Sequence, residues 1–328
     1  MMKKSKPFLS EKNPLNISLE ECEKFSYSFL MPNYWFTWIL ILLSFLISYM
    51  PNFFRSAIGA TLGLFIFYTN NKRKNIVKTN LELCFKKMHA EQVKKITKSY
   101  FINLGRIFLD LPLLWWKSNK KLQQKCHLVN SHHIDDSLNL NKGVILLAAH
   151  SISLDFGGRS ISKYPIISMY KPFRNKLLNW FVGKSRSKTS DNVVVYSREN
   201  ISFKKIIKAL KTPIVFYYVG DEDLGKDNSV FHKFFDEEKS TLISIAKIAS
   251  LSGATVIPCI NHFCYTSGKY ITSIGEPLKE FPNDNILENA KIINEALESI
   301  IMKDLTQYMW SLRLFQTRPD NKVYPYKK

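Results

Sequence analysis

The residues best suited to chemistry stand at one point in the chain. The apolar run Gly143–Ala149 (GVILLAA) ends at His150, and Asp155 follows five positions later. A neutral imidazole can act as a general base near neutral pH, and a carboxylate beside it can fix the tautomer. The spacing sets a condition. Five residues of regular helix turn through about 500°, which leaves the two side chains about 140° apart. His150 and Asp155 therefore meet only if the chain turns between them, with His150 on a strand exit and Asp155 early in the next helix. The other arrangement is a surface histidine and a helix-start carboxylate that never touch, and spacing alone does not choose.

Two more groups carry charge in a pattern. Asp221-Glu222-Asp223 follows the run Pro213–Val219 (PIVFYYV). Three acids after a strand can bind a metal, hold Arg and Lys in place, or form a solvated turn. Between Arg159 and Lys211 lie thirteen Lys or Arg and only two acids, Asp191 and Glu199. Some of these, such as Lys204, Lys205, Lys208 and Lys211, line a solvated helix face, whereas others have the chemistry to bind phosphate. Other catalytic patterns are missing: there is no G-x-S-x-G elbow, P-loop or dinucleotide fingerprint. Ser151 and Ser153 have no evident separate base. Five scattered cysteines without a C-x-x-C pair indicate neither a zinc site nor a disulfide framework.

The elements that must position these groups can be read coarsely. Gly143–Ala149, Pro165–Met169, Val193–Tyr196, Pro213–Val219, Ala254–Ile260 and Tyr270–Ile274 are short, apolar and rich in β-branched residues, and they read as strands. Ile201–Leu210, Thr241–Leu251 and Ile286–Ile301 read as helices. The alternation predicts an α/β domain, residues 118–328, with a central mixed sheet flanked by helices. His150 then leaves a strand at its carboxyl end, where active groups of open α/β sheets gather.

Before this domain the chain has a different character. No charged residue occurs from Phe25 to Phe54, and Tyr34–Met50 reads YWFTWILILLSFLISYM. Seventeen helical residues rise about 25 Å, so residues 31–54 are expected to form a transmembrane anchor after an N-terminal cytoplasmic-side segment, 1–30. Tyr34, Trp35, Trp38 and Tyr49 suit the interfaces. Residues 55–117 read as a membrane-associated helical region, with Ser56–Asn71 against the surface and Lys72-Arg73-Lys74 toward anionic headgroups. The 328 residues carry a net charge of +20, which favours a polyanionic partner. A membrane-tethered nucleic-acid-binding module would satisfy that charge, but no basic–aromatic binding pattern supports it.

In these segments the sequence resembles the late acyltransferases of lipid A biosynthesis, which add lauroyl or myristoyl chains and belong to the lysophospholipid acyltransferase superfamily. The matching pieces are NYWFTW at Asn33–Trp38, NLELCF at Asn80–Phe85, HSISLDFGGR at His150–Arg159 and NKLLNW at Asn175–Trp180. They continue with SRENISFKKIIKALK at Ser197–Lys211, DEDLGKDNSVFHKFF at Asp221–Phe235 and QYMWSLRLFQTRP at Gln307–Pro319. The resemblance implies transfer from acyl-acyl carrier protein to a hydroxyl of a Kdo-bearing, phosphorylated lipid A precursor, with no cofactor, no metal and no nucleic acid. It implies a bacterial inner-membrane protein, single-pass, with its catalytic domain on the cytoplasmic side among the membrane lipids. It implies His150 as base, Asp155 as its partner and Arg198 as a further active-site residue. Arg159, Lys171, Arg174, Asp221, Asp223 and Arg318 are expected at the substrate. The family pattern is His, four intervening residues, then Glu or Asp, and this chain has Asp. A related glycerolipid or glycolipid acyltransferase would use the same chemistry on another acceptor.

Overall fold

The sheet is built around one strand that is apolar on both faces. In β2 (Val144–Ala148, VILLA) every residue is buried. Its side chains alternate between two cores, Ile145 and Leu147 facing one, Val144, Leu146 and Ala148 the other. A continuous apolar run of this kind marks a central parallel strand covered on both sides. The computed structural model describes residues 25–187, 193–198, 202–320 and 322–326. The expected N-terminal segment therefore lies mostly outside the described residues.

Among the described residues the first α-helices are α1 (Trp35–Tyr49), α2 (Asn52–Thr69), α3 (Asn71–Cys84), α4 (Ala90–Trp116) and α5 (Asn119–Lys125). Then β1 (Cys126–Val129), α6 (His132–Asn139), β2, α7 (Leu154–Ser160), β3 (Ile166–Tyr170), α8 (Lys176–Ser187), β4 (Val193–Ser197), α9 (Phe203–Leu210) and β5 (Val215–Val219) follow. A hairpin of β6 (Ser229–Phe234) and β7 (Glu237–Leu242) leads to α10 (Ser244–Ser252), β8 (Thr255–Cys264), β9 (Lys269–Ile274) and α11 (Ile286–Ile301). Seven strands form one sheet in the order β1-β9-β8-β2-β5-β3-β4. β2 pairs in parallel with β5 and β8, whereas β8 and β9 are antiparallel. The sheet is mixed and helix-flanked, as the sequence predicts.

Three local expectations need correction. The predicted helix Thr241–Leu251 begins only at Ser244, because Thr241 and Leu242 end β7. The β6–β7 hairpin was not foreseen. Its second strand reads EEKSTL, and charged residues do not mark a buried strand, yet Glu237 and Lys239 are both buried. The uncharged run Phe25–Phe54 is not one segment. It breaks at Met50-Pro51, where α1 stops and Pro51 precedes α2. Proline lacks the N–H that would carry the ladder on, so Pro51 suits this break and Asn52–Phe54 lie in the first turn of α2.

α1 is unusual in which side it buries. Thr37, Ile41, Ser44 and Ser48 face inward. Asn175 donates to the Thr37 hydroxyl at 2.8 Å, and the Trp116 indole donates to Ser44 at 2.9 Å. Trp35, Phe36, Ile39, Leu42 and Leu46 all point outward, each more than half exposed. Pro32–Tyr49 is long and apolar enough to cross a membrane.

α2 lies against α4 with almost no side chain between the backbones. A Cβ on Gly105 would fall 2.1 Å from the carbonyl oxygen of Gly59, and one on Gly63 2.1 Å from that of Phe101. Small residues at such positions let helices approach closely. Arg55, at the start of α2, is buried and ion-paired to Asp110 of α4. The second oxygen of Asp110 accepts from Tyr270 of β9 at 2.6 Å, so the pair ties both helices to the sheet. Gly105→Val should force the helices apart and lower stability by about 1–3 kcal/mol. A thermal unfolding transition in detergent equal to wild type would refute this packing.

Candidate active site

The parallel register of β2 and β5 decides which side chains meet. Ala148 lies opposite Val219. Both strands then run two residues further, to His150 and Asp221. The Asp221 carboxylate accepts from the His150 backbone N–H at 2.9 Å and engages Nδ1 of its ring at 2.5 Å. Asp221 is fully buried, and the His150 side chain is 17% exposed. With Nδ1 held, Nε2 is the ring nitrogen left for chemistry. The loop is latched from behind by the chain's C-terminal part. Met309 N–H donates to the His150 carbonyl at 2.8 Å, and Ile152 N–H donates to the Gln307 carbonyl at 2.9 Å.

Burial alone would lower the histidine pKa. The neighbouring Asp221 charge and its hydrogen bond outweigh burial and hold it above the ordinary histidine range. Burial would raise Asp221, but the same contact, seen from the acid, holds its carboxyl below the usual value. A buried carboxylate with an imidazole on it is an ionised orienter, suited to stabilise an imidazolium that forms beside it.

The structure therefore pairs His150 with Asp221, not with Asp155. The chain does turn between His150 and α7, the condition under which the two could meet, but Asp155 instead accepts from Arg186 at 2.8 Å. Both His150 and Asp155 line a cleft of about 340 Å³, together with Arg159, Lys171, Arg198 and Glu222. Arg198 follows β4 and donates to Glu222 at 3.2 Å.

The remaining expected site residues separate into two kinds. Lys171 is exposed at the cleft, and Arg174 is exposed without lining it. Arg159 reaches the cleft wall, but its guanidinium donates to the carbonyls of Leu114 and Ser185 at 3.0 and 2.9 Å, which staples α4 to α8. Burial lowers its pKa to about 10. Asp223 and Arg318 lie elsewhere. Asp223 accepts from the Thr317 backbone and hydroxyl at 2.6 and 2.7 Å. Arg318, with Lys322 and Lys86, surrounds the buried Glu237. Burial would raise that carboxyl, but the three cations hold it down to about 2. Both acids serve the fold, because their oxygens are already taken.

Sequence reasoning missed the Asp221 contact and Arg186. The first had a signal. GVILLAAH and IVFYYVGD each place a titratable residue two positions beyond a buried strand, so any direct parallel pairing of the two would bring those residues together. Which strands are neighbours was not written in the spacing.

The sequence model of the family described as "Bacterial lipid A biosynthesis acyltransferase" matches residues 22–317. The chain belongs to that family. It is accordingly an acyltransferase. A lipid A biosynthesis acyltransferase of Haemophilus influenzae is 30% identical over 298 residues, 90% of this chain and 92% of the relative. The lipid A biosynthesis lauroyltransferase of Escherichia coli is 29% identical over 299 residues, 90% of this chain and 96% of the relative. The palmitoleoyltransferase of the same organism is 28% identical over 298 residues, 90% and 96%. Relatives named for different acyl groups thus match the acyltransferase almost equally, and overall identity does not select a chain length.

Asp221, buried behind His150, and Asp155, in the cleft, make different predictions. If neutral His150 is the active form, activity rises with pH through its raised pKa. Asp221→Asn removes the charge that raises it and leaves burial, so the acid limb of kcat/KM should move to lower pH while turnover falls at least about tenfold. Asp155→Asn should lower activity without moving that limb. A limb displaced by the Asp155 change and not by the Asp221 change would reverse the pairing.

Proposed function

We propose that the protein transfers a fatty acyl chain of the lauroyl or myristoyl class from acyl-acyl carrier protein to a hydroxyl of a Kdo-bearing, phosphorylated lipid A precursor. The supporting observation is the His150–Asp221 pair at a cleft walled by cations, in a chain of this family. His150 Nε2 takes the proton of the acceptor hydroxyl as its oxygen attacks the thioester carbonyl. The carbonyl carbon becomes tetrahedral and carries an oxyanion. When the C–S bond breaks, the carrier thiolate leaves and receives the proton back from the imidazolium.

Each neighbour has a separate task in this scheme. Asp221 fixes the tautomer and balances the imidazolium. Arg198, paired to Glu222 in the cleft, supplies positive charge for the oxyanion. Asp155 holds Arg186 at the cleft wall. Lys171 and Arg174, both exposed, are the members of the basic tract assigned to meet acceptor phosphates. Arg159 acts as a strut, since its donors are engaged.

The proposal extends to place. α1 turns its hydroxyls inward and its large apolar side chains outward, an orientation that suits hydrocarbon and costs free energy in water. A single N-terminal span of a bacterial inner membrane, with the catalytic domain on the cytoplasmic side, is consistent with this face and with Lys72, Arg73 and Lys74 behind α2.

Turnover, lipid A composition and membrane extraction test the reading. His150→Ala should lower turnover at least about 10²-fold and leave the unfolding transition intact. Mass spectrometry of lipid A from cells lacking the protein should then show one acyl chain fewer, restored by wild type and not by His150→Ala. Unchanged lipid A in the deletion would rule out this acceptor. For the membrane, the protein should resist extraction by high salt and by alkaline carbonate. Release by salt alone would mean peripheral, electrostatic attachment.

A further inference from the structure

Behind the histidine and its acid lies a third polar group that the scheme above leaves unused. Tyr308 is fully buried. It is bridged through the backbone to Ser151, next to His150, and the Met309 and Gln307 bonds described above flank it on both sides. Its ring packs edge-on to Trp310, with centroids 4.8 Å apart. Its hydroxyl makes no hydrogen bond of ordinary geometry. A buried hydroxyl without a partner is costly, typically about 1–3 kcal/mol, so its place asks for a reason. Asp221 is the acid whose charge acts on it, one strand end away from the bridged Ser151. Burial, and next the Asp221 charge, push the phenol well above the ordinary tyrosine range.

We propose that Tyr308 is a positioning residue for acyl transfer, donating its hydroxyl to Asp221 and so setting how strongly that carboxylate holds His150. The role rests on His150 being the base. A donor on the far side of Asp221 competes with the imidazole for the carboxylate's charge. It keeps Asp221 ionised when His150 is neutral, and it weakens the grip that raises the histidine's proton affinity. Without it, Asp221 would hold the imidazolium harder, and less of the base would be neutral at a given pH.

The charged surroundings are shared among several elements. His150 faces Asp221 and Glu222 beyond β5 and Arg198 beyond β4. Asp221 also lies within reach of Lys239 of β7, which is fully buried with one long bond, 3.4 Å, to the Ser240 carbonyl. Tyr308 additionally faces Cys84 of α3 and Tyr326. Tyr326 cannot take the place of the phenol hydroxyl as a donor to Asp221, because it donates its own hydroxyl to Asn80.

The test is an NMR titration of isotope-labelled histidine in the full chain in detergent micelles, beside the pH profile of kcat/KM. Tyr308→Phe removes one oxygen and keeps the ring in the core. The His150 pKa and the acid limb should both rise by about 0.3–1 unit, the scale of one net hydrogen bond. In an Asp221→Asn background the same change should move neither. Fluorotyrosine placed at 308 keeps the hydroxyl as a stronger donor and should move the His150 pKa the opposite way, which gives a result even if Tyr308→Phe folds poorly. A His150 pKa that is unmoved by both changes overturns the Tyr308 role and leaves the base assignment standing. Full activity in His150→Ala overturns the base assignment, and the Tyr308 role with it.

Discussion

A carboxylate removed from water must be met by a cation or by several donors, and Asp221 is fully buried. What meets it is the residue on the neighbouring strand at the same offset. The backbone N–H and the ring of His150 both go to this one acid. The β2–β5 register is therefore the constraint on which the site depends. A slip of one residue would place the histidine on the other face of the sheet and leave a buried charge alone. The apolar core on both faces of β2 makes such a slip prohibitive, so stability and catalytic geometry have the same cause.

Much of this was legible before any coordinates. Helix Ile286–Ile301 and the strands around Val144, Val193, Val215 and Tyr270 follow from periodicity, because each carries a clean apolar pattern. His150 stood out because a titratable residue directly after a buried strand is rarely idle. The partner was misread for an identifiable reason. The family resemblance implied Asp155, whereas hydrogen bonding across a parallel sheet joins residues far apart in the chain. The same logic hid the roles of Asp223 and Arg318. Each was charged and close to a matching segment, yet one anchors Thr317 and the other faces Glu237. A charge that completes the core cannot be told by type from one that meets substrate.

The N-terminal helices show a second kind of legibility. Composition foretold an apolar element and could not foretell its orientation. α1 buries hydroxyls and exposes Leu, Ile, Phe and Trp. The glycines of α2 mean little on the page of a sequence. In three dimensions they bring two backbones into contact beside the buried Arg55–Asp110 pair. Helix packing and ion pairing there support each other: close approach excludes water from the pair, and the pair fixes the rotation of the helices.

The latch between Gln307–Met309 and the loop of His150 has a consequence for biogenesis. Two of the loop's backbone groups, the His150 carbonyl and the Ile152 N–H, find their partners only in a stretch synthesised well after it. Asp223 likewise waits for Thr317. At ordinary elongation rates the ribosome delivers these partners roughly ten to thirty seconds after His150 emerges. During that interval β2 and its neighbours can gather and His150 can meet Asp221, but the loop lacks its two late anchors. A chain that stops before Gln307 thus keeps the residues of the His150–Asp221 pair but lacks the latch that holds the histidine loop from behind.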